Sequence, residues 1–402
     1  MRVLLADKLA PMVAGRLQDL GADVHVRADL SGEALTAALK ELDPSVLVVR
    51  STKVSAADIA AARALSLIIR AGAGVNTIDL EAASNRGVYV ANCPGKNACA
   101  VAELTIGHLV NLDRRIADNV AELREGRWNK KGFGGARGLR GRTLAVLGCG
   151  TIGREVIHRA QALGMKVRAW SRSLTDERCE ALDVERAATP EEAVEGADAV
   201  TVHLALTPET RGRIGESIFG RMKPGAYFIN TSRGEVVDQD ALLRALDAKD
   251  LRAGLDVFAT EPSGGEGAFD DPIAKHRNVY GTHHIGASTV EAAEAVGEEV
   301  VSIVDAYAHG RLIPNCVNLA SESEATHQLV VRHQDRVGVL AGVLDVLREA
   351  GINVQEMQNI VFSGGEAACA RIEIVGEPDA ATMQKVNAHE AVYDASVTPK
   401  DA

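Results

Sequence analysis

Three spaced glycines constrain the fold of this 402-residue chain more than any other feature of its sequence. Gly148, Gly150 and Gly153 follow the strand-like run 143–147 and precede a stretch with apolar residues at helical spacing. In such a strand–turn–helix, the first glycine permits a tight turn, the second lets backbone approach a pyrophosphate, and the third lets the helix pack on the strand. Free N–H groups at the start of the helix then bind the anion. The sequence therefore predicts a dinucleotide-binding α/β unit.

The residues after the next predicted strand bear on which nicotinamide cofactor binds. That strand covers about 167–170, and Ser171 and Arg172 stand where an acidic residue normally accepts a hydrogen bond from the adenosine ribose. A carboxylate would repel a 2′-phosphate, whereas a hydroxyl beside a guanidinium tolerates one. We predict NAD as the cofactor and leave NADP open. The alternative is that Arg172 only covers the adenine or lies in solvent.

Short β-branched runs alternate with helical stretches over most of the chain, which predicts parallel sheets with crossover helices. The predicted strands are 3–6, 24–26, 46–49, 67–69 and 88–91 in a first unit, and 143–148, 167–170, 199–204, 227–230 and 253–257 in a second. A proline-free helix over 96–125 would join the two units. Another helix over 288–309 would return to the first unit.

The C-terminal part follows a polar stretch at 320–325 and has a different order of elements. Its pattern predicts strand, helix, strand, strand, helix and strand, which is the ferredoxin-like βαββαβ unit. The predicted fold class is α/β, with two doubly wound, Rossmann-like domains and this smaller domain. The predicted domains are a discontinuous substrate-binding domain, 1–95 with 288–318, and a dinucleotide-binding domain, 96–287. A linker at 319–326 then leads to the C-terminal domain, 327–402.

Charge and composition exclude several classes of partner. The net charge is −11, so most of the surface repels nucleic acid and anionic lipid. Aromatic residues make up only 3% of the chain, too few for a platform that stacks single-stranded bases. The six cysteines form no C-x-x-C pair, and no apolar run reaches the roughly 18 residues of a membrane span. We predict no nucleic-acid partner, no membrane, no metal, and a cytoplasmic location.

Three polar residues follow successive strands of the second unit. Arg233, Glu261 and His284 all lie at the carboxyl edge, where sheets of this kind bind ligands. A histidine beside a carboxylate can transfer a proton to a ketone or from an alcohol, and an arginine can clamp a substrate carboxylate. Taken singly, each residue could instead form an ion pair, cap a turn or fill the core. Together they predict an acid–base site.

The motifs in their order along the chain resemble the D-2-hydroxyacid dehydrogenase family over about residues 1–318. They are Val75-Asn76, the glycine loop, Ser232-Arg233-Gly234, 256–262 and His284-Ile-Gly. The resemblance implies that His284 is the general acid/base, Glu261 its carboxylate partner, and Arg233 the group that binds and polarises the substrate. It also places Thr151 and Ile152 at the pyrophosphate, and Thr231 and Asp256 at the nicotinamide.

The resemblance further implies where a small anionic 2-hydroxy or 2-keto acid binds. Backbone at Val75 and Asn76 would hold the substrate carboxylate, and Arg50, Ser51 and Asn97 would meet a substrate phosphate, with Lys96 as an added cation. The alternative is that Arg50 and Lys96 are ordinary solvated or ion-paired groups.

The expected activity is NAD(P)-dependent oxidation of D-3-phosphoglycerate to 3-phosphohydroxypyruvate, the first step of serine biosynthesis. One alternative is an NADPH-dependent glyoxylate or hydroxypyruvate reductase. The other is a nucleotide-sensing, corepressor-like binding protein.

The C-terminal motifs, 330–340 and 350–354, resemble an ACT domain, a ferredoxin-like module that binds small amino acids between paired copies. The resemblance implies serine as an effector, with His333 and Asn353 at contact positions and Asp335 where related domains have asparagine. A module that only dimerises is the alternative. We expect a homodimer or homotetramer.

Overall fold

A computed structural model of the chain describes residues 1–262, 266–320 and 322–400. The chain divides into a larger unit, Met1–Asn318, and a smaller one, Leu319–Ala402. The predicted linker 319–326 starts at this division, and its residue Ser321 lies outside the described residues, as do the last two residues of the predicted domain 327–402. The predicted domain limits within the larger unit stay a prediction.

The first sheet of the larger unit has five parallel strands in the order β2-β1-β3-β4-β5. The strands are β1 Arg2–Leu5, β2 Asp23–Val26, β3 Val46–Val49, β4 Leu67–Arg70 and β5 Tyr89–Asn92; the connecting helices are α1 Met12–Asp19, α2 Glu33–Leu42, α3 Ala56–Ala61 and α4 Leu80–Asn85. All four residues of β3 are buried, as expected for a central strand covered on both faces.

The single helix predicted over 96–125 is wrong, because the structure has two helices there. They are α5 Ala98–Arg114 and α6 Ile116–Arg124, separated by Arg115 in the left-handed conformation with φ +50°. The Arg115 side chain donates a hydrogen bond to Asp118 over 2.8 Å and lies over the Phe133 ring. Arginine is a good helix former, so nothing in the local sequence marks this break.

The second sheet has seven parallel strands in the order β12-β11-β10-β9-β6-β7-β8. The strands are β6 Thr143–Leu147, β7 Lys166–Trp170, β8 Glu185–Arg186, β9 Ala199–Val202, β10 Tyr227–Asn230, β11 Arg252–Leu255 and β12 Val279–Gly281; the helices are α7 Thr151–Ala162, α8 Asp176–Leu182, α9 Pro190–Val194, α10 Glu216–Arg221 and α11 Gln239–Lys249, with a 3-10 turn at Gly234–Val236. Strand order reverses between β6 and β9, where doubly wound sheets open a ligand crevice.

The last helix of the larger unit, α12 Val290–Ala308, packs on the first sheet. Val300 and Val304 of this helix belong to the same core cluster as Val3 and Leu17. The approach to α1 is close, since a Cβ on Gly297 would lie 2.7 Å from Val13 Cγ2. These contacts are the ones required by the prediction that a helix over 288–309 returns to the first unit. Among the described helices, none has the length and apolarity needed to cross a lipid bilayer.

The smaller unit is an antiparallel sheet with two helices. Its elements are β13 His327–Gln334, α13 Val339–Glu349, β14 Val354–Val361, β15 Ala367–Ile374, α14 Ala380–Asn387 and β16 Val392–Pro399. The strand order β14-β15-β13-β16 is that of the ferredoxin-like fold, and Leu329, Val343 and Ile372 lie in its core. The predicted fold class, two doubly wound sheets and a ferredoxin-like unit, is confirmed.

Candidate active site

The glycine loop has the geometry of a pyrophosphate cradle. A Cβ on Gly148, where φ is +106°, would lie 2.5 Å from the carbonyl oxygen of His203, and one on Gly153 would lie 2.0 Å from that of Gly148. The Cβ position of Gly150 faces open space, and no side chain of the described residues caps α7. The first N–H groups of α7 are therefore directed at a ligand. The loop fits a dinucleotide.

The other residues predicted for the cofactor lie around this loop. Thr151 and Ile152 begin α7, and Ser171 and Arg172 follow β7 at the neighbouring strand end. The Thr207 hydroxyl, and to a smaller extent the Arg172 charge, hold the pKa of Glu209 below its usual value. Arg172 therefore lies within electrostatic range of the exposed Glu209 carboxylate.

His284 and Glu261 form the hydrogen-bonded pair that the sequence predicts. His284 Nδ1 lies 2.8 Å from Glu261 Oε2, and Glu261 Oε1 accepts the Phe258 N–H over 2.8 Å. Burial raises the pKa of Glu261, but the bonds from His284 and Phe258 outweigh it and keep that pKa below its usual value. The histidine side chain is 49% exposed, so its other ring nitrogen is open to a substrate. His284 has φ +52°, a conformation that costs about 1–2 kcal/mol for a residue with a Cβ.

Arg233 extends from the end of β10 toward the turn 72–76 of the first sheet. A Cβ on Gly74 would lie 2.9 Å from Arg233 Nη2 and 3.2 Å from Asn76 Oδ1, so the guanidinium and the amide both lie beside this turn. The Asn230 side chain fixes the Arg233 backbone by donating to its carbonyl oxygen over 2.9 Å. Arg233 also contributes to the low pKa of Glu261. The structure thus brings together Arg233, the His284–Glu261 pair and the predicted turn at Val75 and Asn76.

Thr231 and Asp256, both predicted at the nicotinamide, have other partners in the structure. The Thr231 hydroxyl lies 2.8 Å from that of Thr105 on α5. The buried Asp256 carboxylate accepts from the Thr282 hydroxyl over 2.6 Å and from the N–H groups of Ile285 and Gly286 over 2.8 Å each. Its oxygens hold the loop that carries His284, and its contact with cofactor stays a prediction.

Arg50 and Ser51 lie in a turn that Asp7 holds from β1. The Asp7 carboxylate accepts N–H groups from Arg50 over 2.6 Å, and from Ser51 and Thr52 over 3.1 Å each. These bonds consume the backbone donors of the turn, and the Ser51 hydroxyl also donates to Asp7 Oδ1 over 3.2 Å, so the Arg50 side chain remains for a ligand. The turn lies at the carboxyl edge of the first sheet, because it directly follows β3.

Arg70, the last residue of β4, belongs to this cluster, and the sequence analysis missed it. Burial, followed by the charges of Arg233 and Arg50, lowers the pKa of Arg70 to about 10. Its Nε is buried with no hydrogen-bond partner among the described residues. The register pairs Arg70 with Val49, the neighbour of Arg50, so both arginines lie at one edge. An arginine cluster with an unsatisfied donor is suited to an anion.

Lys96 and Asn97, predicted near a substrate phosphate, differ in availability. Lys96 forms an ion pair with Glu299 of α12, with Nζ 2.9 Å from Oε2, and this bond raises the pKa of Lys96. Lys96 is therefore an ion-paired group, which is the alternative to a phosphate-binding role that the sequence left open. Asn97 precedes α5 and makes no capping hydrogen bond, and its buried Oδ1 has no partner among the described residues. The Asn97 amide is therefore available to a ligand.

Comparison with known proteins identifies the family. A family profile described as "D-isomer specific 2-hydroxyacid dehydrogenase, NAD binding domain" matches residues 106–286. The D-3-phosphoglycerate dehydrogenase of Rattus norvegicus is 40% identical over 327 residues, or 81% of this chain and 60% of the rat protein. The D-3-phosphoglycerate dehydrogenase of Mycobacterium bovis is 36% identical over 380 residues, or 93% of this chain and 68% of the bacterial protein. The chain belongs to the D-isomer specific 2-hydroxyacid dehydrogenase family.

A solved structure is similar to this chain over most of its length. The NAD⁺-bound 3-phosphoglycerate dehydrogenase of Entamoeba histolytica superposes with a TM-score of 0.66 at 27% identity, covering 79% of this chain and 99% of that one. The segment matched to the family's NAD binding domain contains the glycine loop, Arg233, Glu261 and His284. The chain spans only about 60% of the length of the rat relative.

The residues predicted to bind an effector lie in the smaller unit, which the family profile does not reach. His333 is only 1% exposed, with Nδ1 2.7 Å from the Gln334 carbonyl oxygen and Nε2 3.2 Å from Asn359 Oδ1. Both ring nitrogens thus face oxygen atoms of the same unit. Asp335 lies in the loop after β13, and Asn353 lies just before β14. The ACT assignment and the effector site stay predictions.

We expect Asp7→Asn to lower the melting temperature most at neutral pH. Burial raises the pKa of Asp7, but the bonds from Arg50, Thr52 and Ser51 outweigh it and hold that pKa below its usual value. The stability from the ionised form is therefore present above the unfolded pKa, about 3.9, and is lost as pH falls through the lower folded pKa. The substitution should cost about 1–3 kcal/mol near neutrality. Calorimetry across this range tests it, and a difference in melting temperature that does not shrink below about pH 4 would contradict the assignment.

Proposed function

We propose that this protein oxidises D-3-phosphoglycerate to 3-phosphohydroxypyruvate with NAD, and reduces the keto acid in the reverse direction. The observation that carries the proposal is a second cationic centre beside the acid–base group. Arg70 pairs with Val49 at the strand end that precedes Arg50, and its Nη1 lies against Gly72 of the turn whose Gly74 contacts Arg233. One arginine therefore lies beside the proton-transfer pair, and two more lie at the same edge of the first sheet. A 2-hydroxy acid with an additional anionic group matches this arrangement of charge, and a simple acid such as glyoxylate leaves the second centre without a partner.

The residues of this chain divide the reaction among them. Arg233 binds the substrate carboxylate and polarises the carbonyl oxygen at C2, since a guanidinium can form two parallel hydrogen bonds. His284 accepts the hydroxyl proton of the alcohol and returns it to the ketone in reverse. Glu261 orients the ring through Nδ1 and stabilises its protonated form. The glycine loop would hold NAD, which would supply the acceptor for the hydride that leaves C2.

The Arg50 turn supports recognition of the phosphate. Asp7 holds the backbone of Arg50, Ser51 and Thr52 through three N–H bonds, which reduces the conformational freedom lost when ligand binds. The net charge of −11 makes most of the surface repel a trianionic substrate, and a local cationic cluster concentrates it at this edge. The named relatives, D-3-phosphoglycerate dehydrogenases of a mammal and a bacterium, support the same substrate.

Initial rates in a matrix of two keto acids and two cofactors test the function. We expect phosphohydroxypyruvate to be reduced with kcat/KM at least about 100-fold above that for glyoxylate, because only the former uses the second cationic centre. NADH should give a higher kcat/KM than NADPH, because the matched family profile is that of an NAD binding domain. Higher kcat/KM for glyoxylate with NADPH would favour the reductase alternative. Binding of dinucleotide without turnover of either acid would favour the corepressor-like alternative.

Three further statements remain predictions from the sequence. They are a homodimeric or homotetrameric state, a cytoplasmic location, and regulation by serine at the smaller unit. Serine regulation has the least support, because the His333 ring is buried and both its nitrogens face oxygen atoms within the unit.

A further inference from the structure

One face of α5 contacts the loops that carry the proposed catalytic residues. Val101, Thr105 and His108 lie at i, i+4 and i+7, the spacing that places side chains on one helical face. A Cβ on Gly286 would lie 3.3 Å from Val101 Cγ2. The Thr105 hydroxyl lies 2.8 Å from that of Thr231, which is two residues before Arg233. The three side chains thus contact both loops from one rigid element.

His108 connects α5 to the loop that precedes His284. Its Nε2 lies 3.2 Å from Thr282 Oγ1, and the Thr282 hydroxyl lies 2.6 Å from Asp256 Oδ1. A carboxylate only accepts, so Thr282 donates to Asp256, and the Thr282 oxygen accepts the Nε2–H of His108. Space for the imidazole comes from β11, where a Cβ on Gly254 would lie 2.8 Å from His108 Cβ. The direction of each hydrogen bond is therefore fixed.

Asp256 joins this connection to the backbone around His284. Besides Thr282, its carboxylate accepts the N–H groups of Ile285 and Gly286, and its carbonyl oxygen accepts the N–H of His284 over 2.8 Å. Asp256 thus holds the residues on both sides of His284. Since His284 has a left-handed backbone with φ +52°, the surrounding bonds must maintain that conformation.

His108 has the protonation state that the connection needs. Burial lowers the pKa of His108, and the nearby Asp256 carboxylate offsets this only in part. The ring is therefore neutral near pH 7. A neutral imidazole has one N–H, and the geometry puts it on Nε2, facing Thr282.

We propose that His108 is a positioning residue for the proton-transfer step: through Thr282 and Asp256 it holds the 282–286 loop so that the His284 ring stays aligned with Glu261. The rate part of this inference rests on the proposed function. His108 does not touch substrate or cofactor in this scheme, and it acts only through the loop. A loop held less firmly would misplace the His284 ring at the moment of proton transfer while leaving the cofactor loop, which lies elsewhere, unchanged.

The test compares two replacements of similar size. His108→Gln keeps an N–H donor for Thr282, and His108→Met does not. We expect His108→Met to lower kcat about 10-fold with KM and the NADH dissociation constant within about 2-fold of the parent, and His108→Gln to restore most of kcat. Thr282→Val should match His108→Met, and Thr282→Ser should match the parent. The double variant His108→Met/Thr282→Val should be no slower than either single one.

Hydrogen exchange measured by mass spectrometry gives a second readout that needs no turnover. Amides of the 282–288 segment should exchange about 10-fold faster in His108→Met and Thr282→Val than in the parent, with α11 unchanged, and His108→Gln should resemble the parent. Equal behaviour of the Gln and Met variants in both measurements would overturn the proposal, as would faster exchange throughout the larger unit. A parent that turns over no keto acid would refute the proposed function, and the exchange comparison would still decide the role of His108.

Discussion

His284→Gln is expected to lower kcat for reduction of phosphohydroxypyruvate by about 1,000-fold, with little change in NADH affinity. Among the described residues, the His284 imidazole is the proton-transfer group that is paired with a carboxylate beside Arg233. Glutamine retains its polarity but cannot transfer a proton at neutral pH. The side chain is half exposed, so the substitution creates no cavity in the core. Steady-state rates and NADH fluorescence titration measure the two quantities.

The neighbouring His283 offers a matched control. It is also exposed, and none of the described residues accepts a side-chain hydrogen bond from it, so His283→Gln should leave kcat within about 2-fold of the parent. Glu261→Gln should give an intermediate loss, because it keeps a partner for Nδ1 but removes the charge that stabilises the protonated ring. Parent-like turnover in purified His284→Gln would exclude His284 as the acid/base.

The pH dependence of the pair follows from Glu261. Its pKa lies below the usual range, so the carboxylate is ionised throughout the neutral range, and the pairing is lost only as pH falls through that lowered pKa. The pH profile of kcat/KM in the parent should therefore show no loss of activity centred on the ordinary glutamate pKa of about 4.3. A loss there in the parent that is absent from Glu261→Gln would contradict this prediction.

The features of the site that follow from backbone geometry and strand order could be predicted from the sequence. Gly148 and Gly153 are required because backbone atoms lie within 2.5 and 2.0 Å of their Cβ positions, and such positions show in sequence as glycines between a strand and a helix. Arg233, Glu261 and His284 could be grouped because parallel strands place their carboxyl ends at one edge. The pairing of His284 with Glu261 follows from that same placement.

The features of the site that depend on which distant group a side chain bonds could not be predicted from the sequence. Lys96 has an ion pair with Glu299, some 200 residues along the chain, and no local pattern indicates it. Thr231 and Asp256 make their bonds to α5 and the 282–286 loop. Arg70 was missed for a different reason: the predicted strand 67–69 stopped one residue short of it, although its position beside Val49 and Arg50 follows once the two strands are paired.

Arg50→Gln combined with Arg70→Gln is expected to lower kcat/KM for phosphohydroxypyruvate at least about 100-fold, mostly through KM, while kcat/KM for glyoxylate changes less than about 3-fold. Both arginines lie at the edge beside Arg233, and Arg70 has a buried Nε without a partner among the described residues. Charge-assisted bonds to phosphate form only with the phosphorylated acid, so the loss should be selective. Removing like charges also relieves repulsion in the free protein, so the melting temperature should not fall greatly.

Lys96→Gln provides the matched control, since it removes one positive charge from the same region. Because Glu299 already neutralises Lys96, the effect on the KM for phosphohydroxypyruvate should be well below that of either arginine. A larger effect at Lys96 than at the arginines would place the phosphate near the start of α5 and show that the ion pair opens to admit substrate. Equal losses of kcat/KM for both keto acids in the double variant would mean that the arginines support the site without binding the phosphate. The proposed substrate would then have to be abandoned in favour of a simple 2-keto acid.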